Sequence, residues 1–177
     1  NQGIVDLVKK TITDEGGDLQ HRELYGSGFN PVLGPSDFET FSKNTIPADI
    51  AEEQKWVTWA DRLLFIYPVW WFSQPAMLKG WIDRVFSYGF AFTSSGGVLS
   101  GLLHHEKAWV IQTAGTPKQW FDERGFTDKM NLAFKEGPLE FCGIKDVEVT
   151  TLFGVNGSSQ EERESMLKQI KEKLLSW

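Results

Sequence analysis

Near the start of the chain the apolar positions Ile4, Val8 and Ile12, with Val5 and Leu7 beside them, recur at helical spacing, and Gly16-Gly17 ends the pattern. "DLQHRELY" reads as a short extended piece, strand-like over residues 19–24, and leads into the turn-rich "GSGFNPVLGPSDF". "PADIAEEQKWVTWAD" predicts a helix with Pro47 near its first turn. The run "LLFIYP", stopped by Pro68, predicts a strand over 62–67 that is buried on both faces. The next helix sets Leu78, Trp81, Ile82, Val85 and Phe86 on one stripe, with Lys79 and Asp83 spaced to pair elsewhere on its surface. Residues 93–106, "TSSGGVLSGLLHHE", read as a flexible loop. "KAWVIQT", residues 107–113, predicts another buried strand, followed by "AGTPKQWFDERGF" and a helical stretch to about Phe141. "DVEVTTLFGV" alternates well enough for a strand over 146–152. A last helix opens with Ser159 and Glu162 in capping-box spacing and gathers Lys168, Lys171 and Lys173 toward its end.

Strands alternating with helices predict an α/β fold: a doubly wound parallel sheet with helices on both faces, as one domain over residues 1–177. No internal repeat or linker divides it. The chain opens directly on a helix, however, whereas in a sheet of order 2-1-3-4-5 the first strand is central. A vacant central slot would orphan N–H and C=O groups on both neighbours. The sequence is therefore expected to begin after that first strand.

Composition narrows the partners. A net charge of −6 argues against a nucleic-acid surface, which would be basic, although backbone N–H groups can still bind phosphate. No apolar run approaches the length of a membrane span and no basic–apolar leader is visible, so direct membrane insertion is not expected. The single cysteine, Cys142, cannot form an intramolecular disulfide and fits a reducing, cytoplasmic compartment.

Ligands of open α/β sheets sit beyond the carboxyl ends of the strands. Two loops of unusual composition lie there, residues 68–73 and 113–116. In the first, Trp70, Trp71 and Phe72 are adjacent at a strand's end, where successive side chains diverge. Trp70 and Trp71 are thus expected to differ, one facing a site and the other packing inward or against a partner. In the second, Ala114 and Gly115 allow close approach of a ligand to the backbone. On residue type alone, rings packed in a core or a subunit contact are the stronger reading, since large aromatics are mostly buried for packing.

Motifs shift that balance. "YPVWWFSQPAMLKGWIDRVFSYGFAF" (residues 67–92) resembles the quinone-reductase family of flavodoxin-like flavoproteins, with its P-x-x-W-[FY] loop, P-x-x-L-K-[GL]-W-[IFM]-[DE]-[RK]-V helix and G-[FW]-A-[FY] segment. "RELYGSGFNPVL", "ADIAEEQ", "IQTAG" and "LEFCGI" are similar to further pieces of the same family, so the likeness runs nearly end to end. It implies a flavin-dependent enzyme that takes NAD(P)H as co-substrate and reduces a quinone-like acceptor by two-step hydride transfer, as a homodimer with sites at the subunit interface. It implies that Val69, Trp70, Trp71 and Phe72 border the flavin ring, and that Gln112, Thr113, Ala114 and Gly115 meet the ring's pyrimidine side through their backbone. Asn1 is similar to the Asn of an S-F-N motif in the flavin phosphate loop. Ala91, Phe92 and Thr93 match the stretch lining the substrate face from the partner subunit. FMN is favoured over FAD because a chain of this size has little extra polypeptide for an adenosine half.

The chain also departs from the family. Trp120 and Phe126 stand where members with a Tyr and His flanking the substrate pocket carry them, which removes a side-chain proton relay. Gln112 and Ala114 replace the first Thr and first Gly of T-T-G-G. Backbone N–H groups near Ala114 and Gly115 are expected to meet charge developing on the reduced ring. The resemblance admits two other functions, a flavin-binding ancillary subunit of a potassium-efflux system and a one-electron carrier. Other features point to packing rather than chemistry. His104-His105-Glu106 lacks a third ligand and reads as loop, Cys142 sits in an apolar setting, and Gly96-Gly97 lacks the strand–helix context of a phosphate loop.

Overall fold

A computed structural model describes residues 1–43 and 45–177. In chain order it contains α1 (Gln2–Asp14), α2 (Pro35–Ser42), α3 (Ala48–Trp59), β1 (Arg62–Pro68), α4 (Ala76–Val85), β2 (Phe92–Ser95) and β3 (Val98–Gly101). There follow β4 (Lys107–Thr113), α5 (Lys118–Asp122), α6 (Phe126–Asn131), a π-helix (Leu132–Glu140), β5 (Asp146–Leu152) and α7 (Gln160–Ser176).

The sheet exists because the apolar runs of β1 and β4 require cover on both faces, and β5, which alternates, pairs on the far edge of β4. Strands β1, β4 and β5 pair in parallel in the order β1-β4-β5, with Phe65 beside Val110 and Val110 beside Val149. Side chains alternate between two cores. Leu63, Phe65, Tyr67, Ala108, Val110 and Val147 enter the larger one, closed by Val57 of α3, by Trp81, Ile82 and Val85 of α4, and by Phe134 and Leu139 of the π-helix. Trp109, Ile111 and Leu152 enter the second, closed by Ile4 and Val8 of α1 and Ile170 and Leu174 of α7. Helices thus cover both faces, as the alternation of apolar runs and helical stripes predicts.

Two expectations are corrected. Residues 19–24 form no strand. In the doubly wound order such a segment would pair only with the central strand, and among the described residues β1 has a strand on one side only, β4. Without a ladder, the Glu23 and Leu24 carbonyls are met locally by Ser27, through its N–H at 3.0 Å and its Oγ at 3.1 Å. Residues 93–106 are not a loop throughout. Most of the segment is an antiparallel hairpin pairing Ser95 with Val98, and its turn is Gly96-Gly97, with φ of 60° and 81°. Only glycine adopts such angles freely, which is why the dipeptide favours hairpin turns.

Contacts around α4 hold the neighbouring segments in place. Segment 29–31 lies directly on α4: a Cβ added to Gly80 would come within 2.0 Å of the Pro31 carbonyl oxygen. Buried Arg84 of α4 donates to Asp37 of α2 at 3.0 and 2.9 Å, to Asp49 of α3 at 2.5 Å and to the Asn30 carbonyl at 2.8 Å. Lys79 and Asp83 pair at 2.6 Å, and Ser159 and Glu162 complete the capping box of α7.

Candidate functional site

The site begins where β1 ends. The Val69 N–H donates to the Thr113 carbonyl at 2.8 Å, tying the loop after β1 to the loop after β4. The chain then reverses in two residues. Trp70 and Ser73 exchange N–H···O=C bonds of 2.9 and 3.0 Å, leaving Trp71 and Phe72 as the central pair of the turn. Both have left-handed backbones, with φ of 48° and 63°. Positive φ at both central positions defines the turn type that otherwise selects Asn-Gly. For bulky residues it is a true outlier, costing about 1–2 kcal/mol each.

That strain sets the side chains. Trp70 and Trp71 are 62% and 90% exposed. Of the two alternatives expected for the second indole, packing inward does not occur within this chain, because both stand at a turn rather than on the end of a strand, and packing against a partner remains the expectation. Phe72 turns back onto the protein. Its ring stacks on Trp120 with 5° between planes, meets Phe126 at 4.6 Å, and meets Phe121 edge-on at 5.9 Å. Phe121 in turn contacts Phe153, just past β5. These rings, with Val69, Ala114 and Met130, form a third apolar cluster beyond the carboxyl ends of all three parallel strands. No residue of that cluster has a titratable side chain. Two cations lie over its rings, Arg124 at 4.4 Å from the Trp120 centroid and Lys129 at 5.4 Å from that of Phe126.

The loop after β4 adds backbone. Its Ala114 N–H is spent on the Leu152 carbonyl at 2.9 Å, which removes it as a donor for developing charge. The N–H groups of Trp71, Phe72, Gly115 and Thr116 have no acceptor among the described residues. Thr113 donates through Oγ1 to Asn1 Oδ1 at 3.2 Å, so Asn1 reaches this end of the sheet. The Gln112 side chain points into structure, donating to Thr151 at 2.8 Å, and its backbone lies in the middle strand of the sheet between Tyr67 and Thr151.

Of the residues singled out from the sequence, Asn1, Val69, Phe72, Thr113, Ala114, Trp120 and Phe126 therefore lie together at one end of the sheet. Ala91, Phe92 and Thr93 are elsewhere. Ala91 is fully buried in the larger core, and Phe92 packs on Tyr88 and Phe141 at the base of the β2–β3 hairpin. Reasoning from the sequence missed Phe121, Phe153 and Asn156. Asn156 lies so close over Gly115 that a Cβ there would be 2.5 Å from its Nδ2. A "WF" pair beside Trp120 was the available signal for Phe121; for Asn156 there was none.

A flavin ring requires flat faces to stack on and donors along a carbonyl edge. Exposed indoles at Trp70 and Trp71, with partnerless N–H groups on two adjoining loops, meet both requirements.

A three-stranded parallel sheet wrapped on both faces, with an aromatic site past its carboxyl edge, defines a doubly wound α/β protein of the ligand-binding kind. Residues 1–174 match the family model described as Flavodoxin-like fold, and the chain belongs to that family. A ribosyldihydronicotinamide dehydrogenase [quinone] of Mus musculus is 36% identical over 160 residues, covering 87% of this chain and 69% of the relative. An uncharacterized NAD(P)H oxidoreductase of Haemophilus influenzae is 29% identical over 172 residues, covering 97% and 85%. Among solved structures, an NAD(P)H:quinone oxidoreductase from Methanothermobacter marburgensis superposes with a TM-score of 0.88 at 26% identity, over 98% of this chain and 89% of that one. With such relatives the chain is an oxidoreductase.

Proposed function

We propose that the protein is a flavin-dependent NAD(P)H oxidoreductase that reduces quinones or similar planar acceptors. The observation that carries this reading is the Trp71-Phe72 turn. Strained backbone persists where the surroundings impose it, and it clusters at functional sites. Here it holds two large indoles out in solvent at the ligand-binding edge of the sheet, while Phe72 alone of the turn's three rings packs back on the chain.

When bound, a flavin supplies the two-electron chemistry that links a nicotinamide donor to a separate acceptor. Trp70 and Trp71 would offer it flat apolar surface, and the N–H groups of Trp71, Phe72, Gly115 and Thr116, without an acceptor among the described residues, would donate to its carbonyl edge. Asn1, whose side chain accepts from Thr113 Oγ1, would meet the phosphate end of FMN. FMN is the form proposed. Trp120, Phe126 and Phe72 form a wall without a titratable proton donor, so a reduced acceptor takes its protons from water. Donor and acceptor, both planar, would use this one site in turn.

A second copy completes the site. Ala91, Phe92 and Thr93 sit apart from the cluster in one chain, and the adjoining hairpin exposes Tyr88, Val98 and Leu99. An apolar patch of that kind is a subunit surface. None of the relatives named above carries a name that points to a transport partner, which leaves the ancillary-subunit reading without support. Among the described residues no helix is long and apolar enough to cross a membrane. The test is NADH and NADPH oxidation with a soluble quinone, together with light scattering. Flavin-dependent turnover by a dimer supports the reading; flavin binding without turnover would return the ancillary role.

A further inference from the structure

Trp120 belongs to the aromatic wall, yet little besides its neighbours' side chains fixes its ring. Helix α5, which carries it, is five residues long, too short to be stable on its own. The half-buried indole makes no hydrogen bond through its N–H among the described residues. Its orientation rests on ring contacts, with Phe72 at 6.0 Å, Phe121 at 5.5 Å and Phe126 at 5.7 Å between centroids. Trp120 also borders a cavity of about 320 Å³, lined otherwise by Thr116, Pro117, Gln119 and Glu123, which leaves the ring room to turn.

One guanidinium grips both parts of this residue. Arg124 Nη1 donates to the Trp120 carbonyl at 3.2 Å, while Cζ stands 4.4 Å from the centroid of the Trp120 ring, where the negative face of an indole attracts a cation. Arg124 is itself set by the turn between α5 and α6. Its N–H donates to the Phe121 carbonyl at 3.2 Å, and Gly125 after it takes a φ of 60°. Its ion pair with Glu123 is long, at 3.4 Å, and the other oxygen of that carboxylate accepts from Gln119 at 2.9 Å. The shorter and better-directed contacts of the guanidinium are those with Trp120.

We infer that Arg124 is a positioning residue of the site: by gripping Trp120 it holds the indole in the wall with Phe72 and out of the adjoining cavity, so that the wall is preformed for a planar acceptor. The inference rests on the oxidoreductase reading and gives a charged side chain a part in a wall otherwise made of apolar rings. Lysine is an incomplete substitute, because an ammonium is a point charge without the planar fork that reaches ring and carbonyl together.

The test compares the intact protein with Arg124→Met, Arg124→Lys, Trp120→Leu and the double variant Arg124→Met/Trp120→Leu, each loaded with FMN. Measured are KM and kcat for a soluble quinone, turnover with ferricyanide, which has no planar ring to stack, and, without flavin, near-ultraviolet circular dichroism, which reads aromatic packing. Loss of an exposed cation–ring contact is expected to raise the quinone KM about 2- to 5-fold in Arg124→Met, with ferricyanide turnover unchanged. Arg124→Lys should recover part of that loss. In the Trp120→Leu background, Arg124→Met should change neither KM nor the dichroism, because the ring it acts through is gone. An unchanged quinone KM in Arg124→Met, an equal rise in the Trp120→Leu background, or an equal loss with ferricyanide would each overturn the inference while leaving the oxidoreductase reading in place. Absence of FMN-dependent turnover in the intact protein would contradict that reading itself, and the inference with it.

Discussion

Phe72 and Trp120 lie parallel, 5° between ring planes and 6.0 Å between centroids, although 48 residues separate them in the chain. The contact joins the loop after β1 to helix α5, and it balances part of the strain in the turn that carries Phe72. Offset-stacked pairs are worth about 0.5–1.5 kcal/mol beyond the area they bury. A double-mutant cycle of Phe72→Ala and Trp120→Ala, followed by denaturant unfolding, should therefore give a coupling energy in that range. Additive effects of the two substitutions would show that the stack contributes nothing of its own.

Trp71 tests whether strain is being spent on function. Its side chain is 90% exposed, so replacing it forfeits little burial, while its φ of 48° suits Asn far better. Trp71→Asn should raise stability by about 1 kcal/mol, from relief of left-handed backbone strain. The same variant should bind FMN more weakly. Calorimetry and a flavin titration on one preparation check both signs, and a variant that is less stable would show that the indole packs on something within the fold.

Arg84 predicts the acid behaviour. Its guanidinium holds the Asp37 carboxyl below the ordinary value of 3.8, aided by the Gly34 N–H and opposed by burial. A carboxyl whose folded pKa is depressed adds stability that is complete above its unfolded pKa and is lost as pH falls through the folded one. Stability should thus decline below about pH 4 in the intact protein, and Asp37→Asn should flatten that part of the curve. Arg84→Met leaves two carboxylates facing each other without their cation, at a cost of about 3 kcal/mol or more. Thermal unfolding from pH 3 to pH 7 measures all three.

Cys142 is buried, and burial pushes its thiol up to about 11. Thiolate is the reactive form. Iodoacetamide at pH 8 should leave Cys142 unmodified in the folded protein and label it in denaturant, as read by mass spectrometry. Labelling of the folded protein at the rate of a free thiol would mean that the π-helix region opens readily.

How much the sequence made legible depends on how local each cause is. The β1 and β4 strands are largely apolar runs, β5 alternates, and α7 announces itself through Ser159 and Glu162, so periodicity and capping chemistry suffice for them. Motif resemblance located the Trp70–Phe72 loop. The geometry of that loop was not legible, because nothing in "WWFS" suggests left-handed backbone at a Trp and a Phe. Residues 19–24 read as strand from their place in the order of elements, but a strand is defined by its neighbour, and none lies beside this segment among the described residues. Helix α2 was hidden in a stretch rich in Gly and Pro, and its Asp37 acquires meaning only from Arg84, 47 residues later.

The measurement that bears most directly on the central claim is steady-state NAD(P)H oxidation at several fixed concentrations of a soluble quinone, with and without added FMN. If both substrates stack in turn on one flavin held between the Trp70–Ser73 turn and the loop after β4, turnover requires FMN and the double-reciprocal lines are parallel. Intersecting lines would contradict the shared site, and flavin-independent turnover, or none at all in the presence of FMN, would contradict the assignment of the aromatic edge as a reductase site.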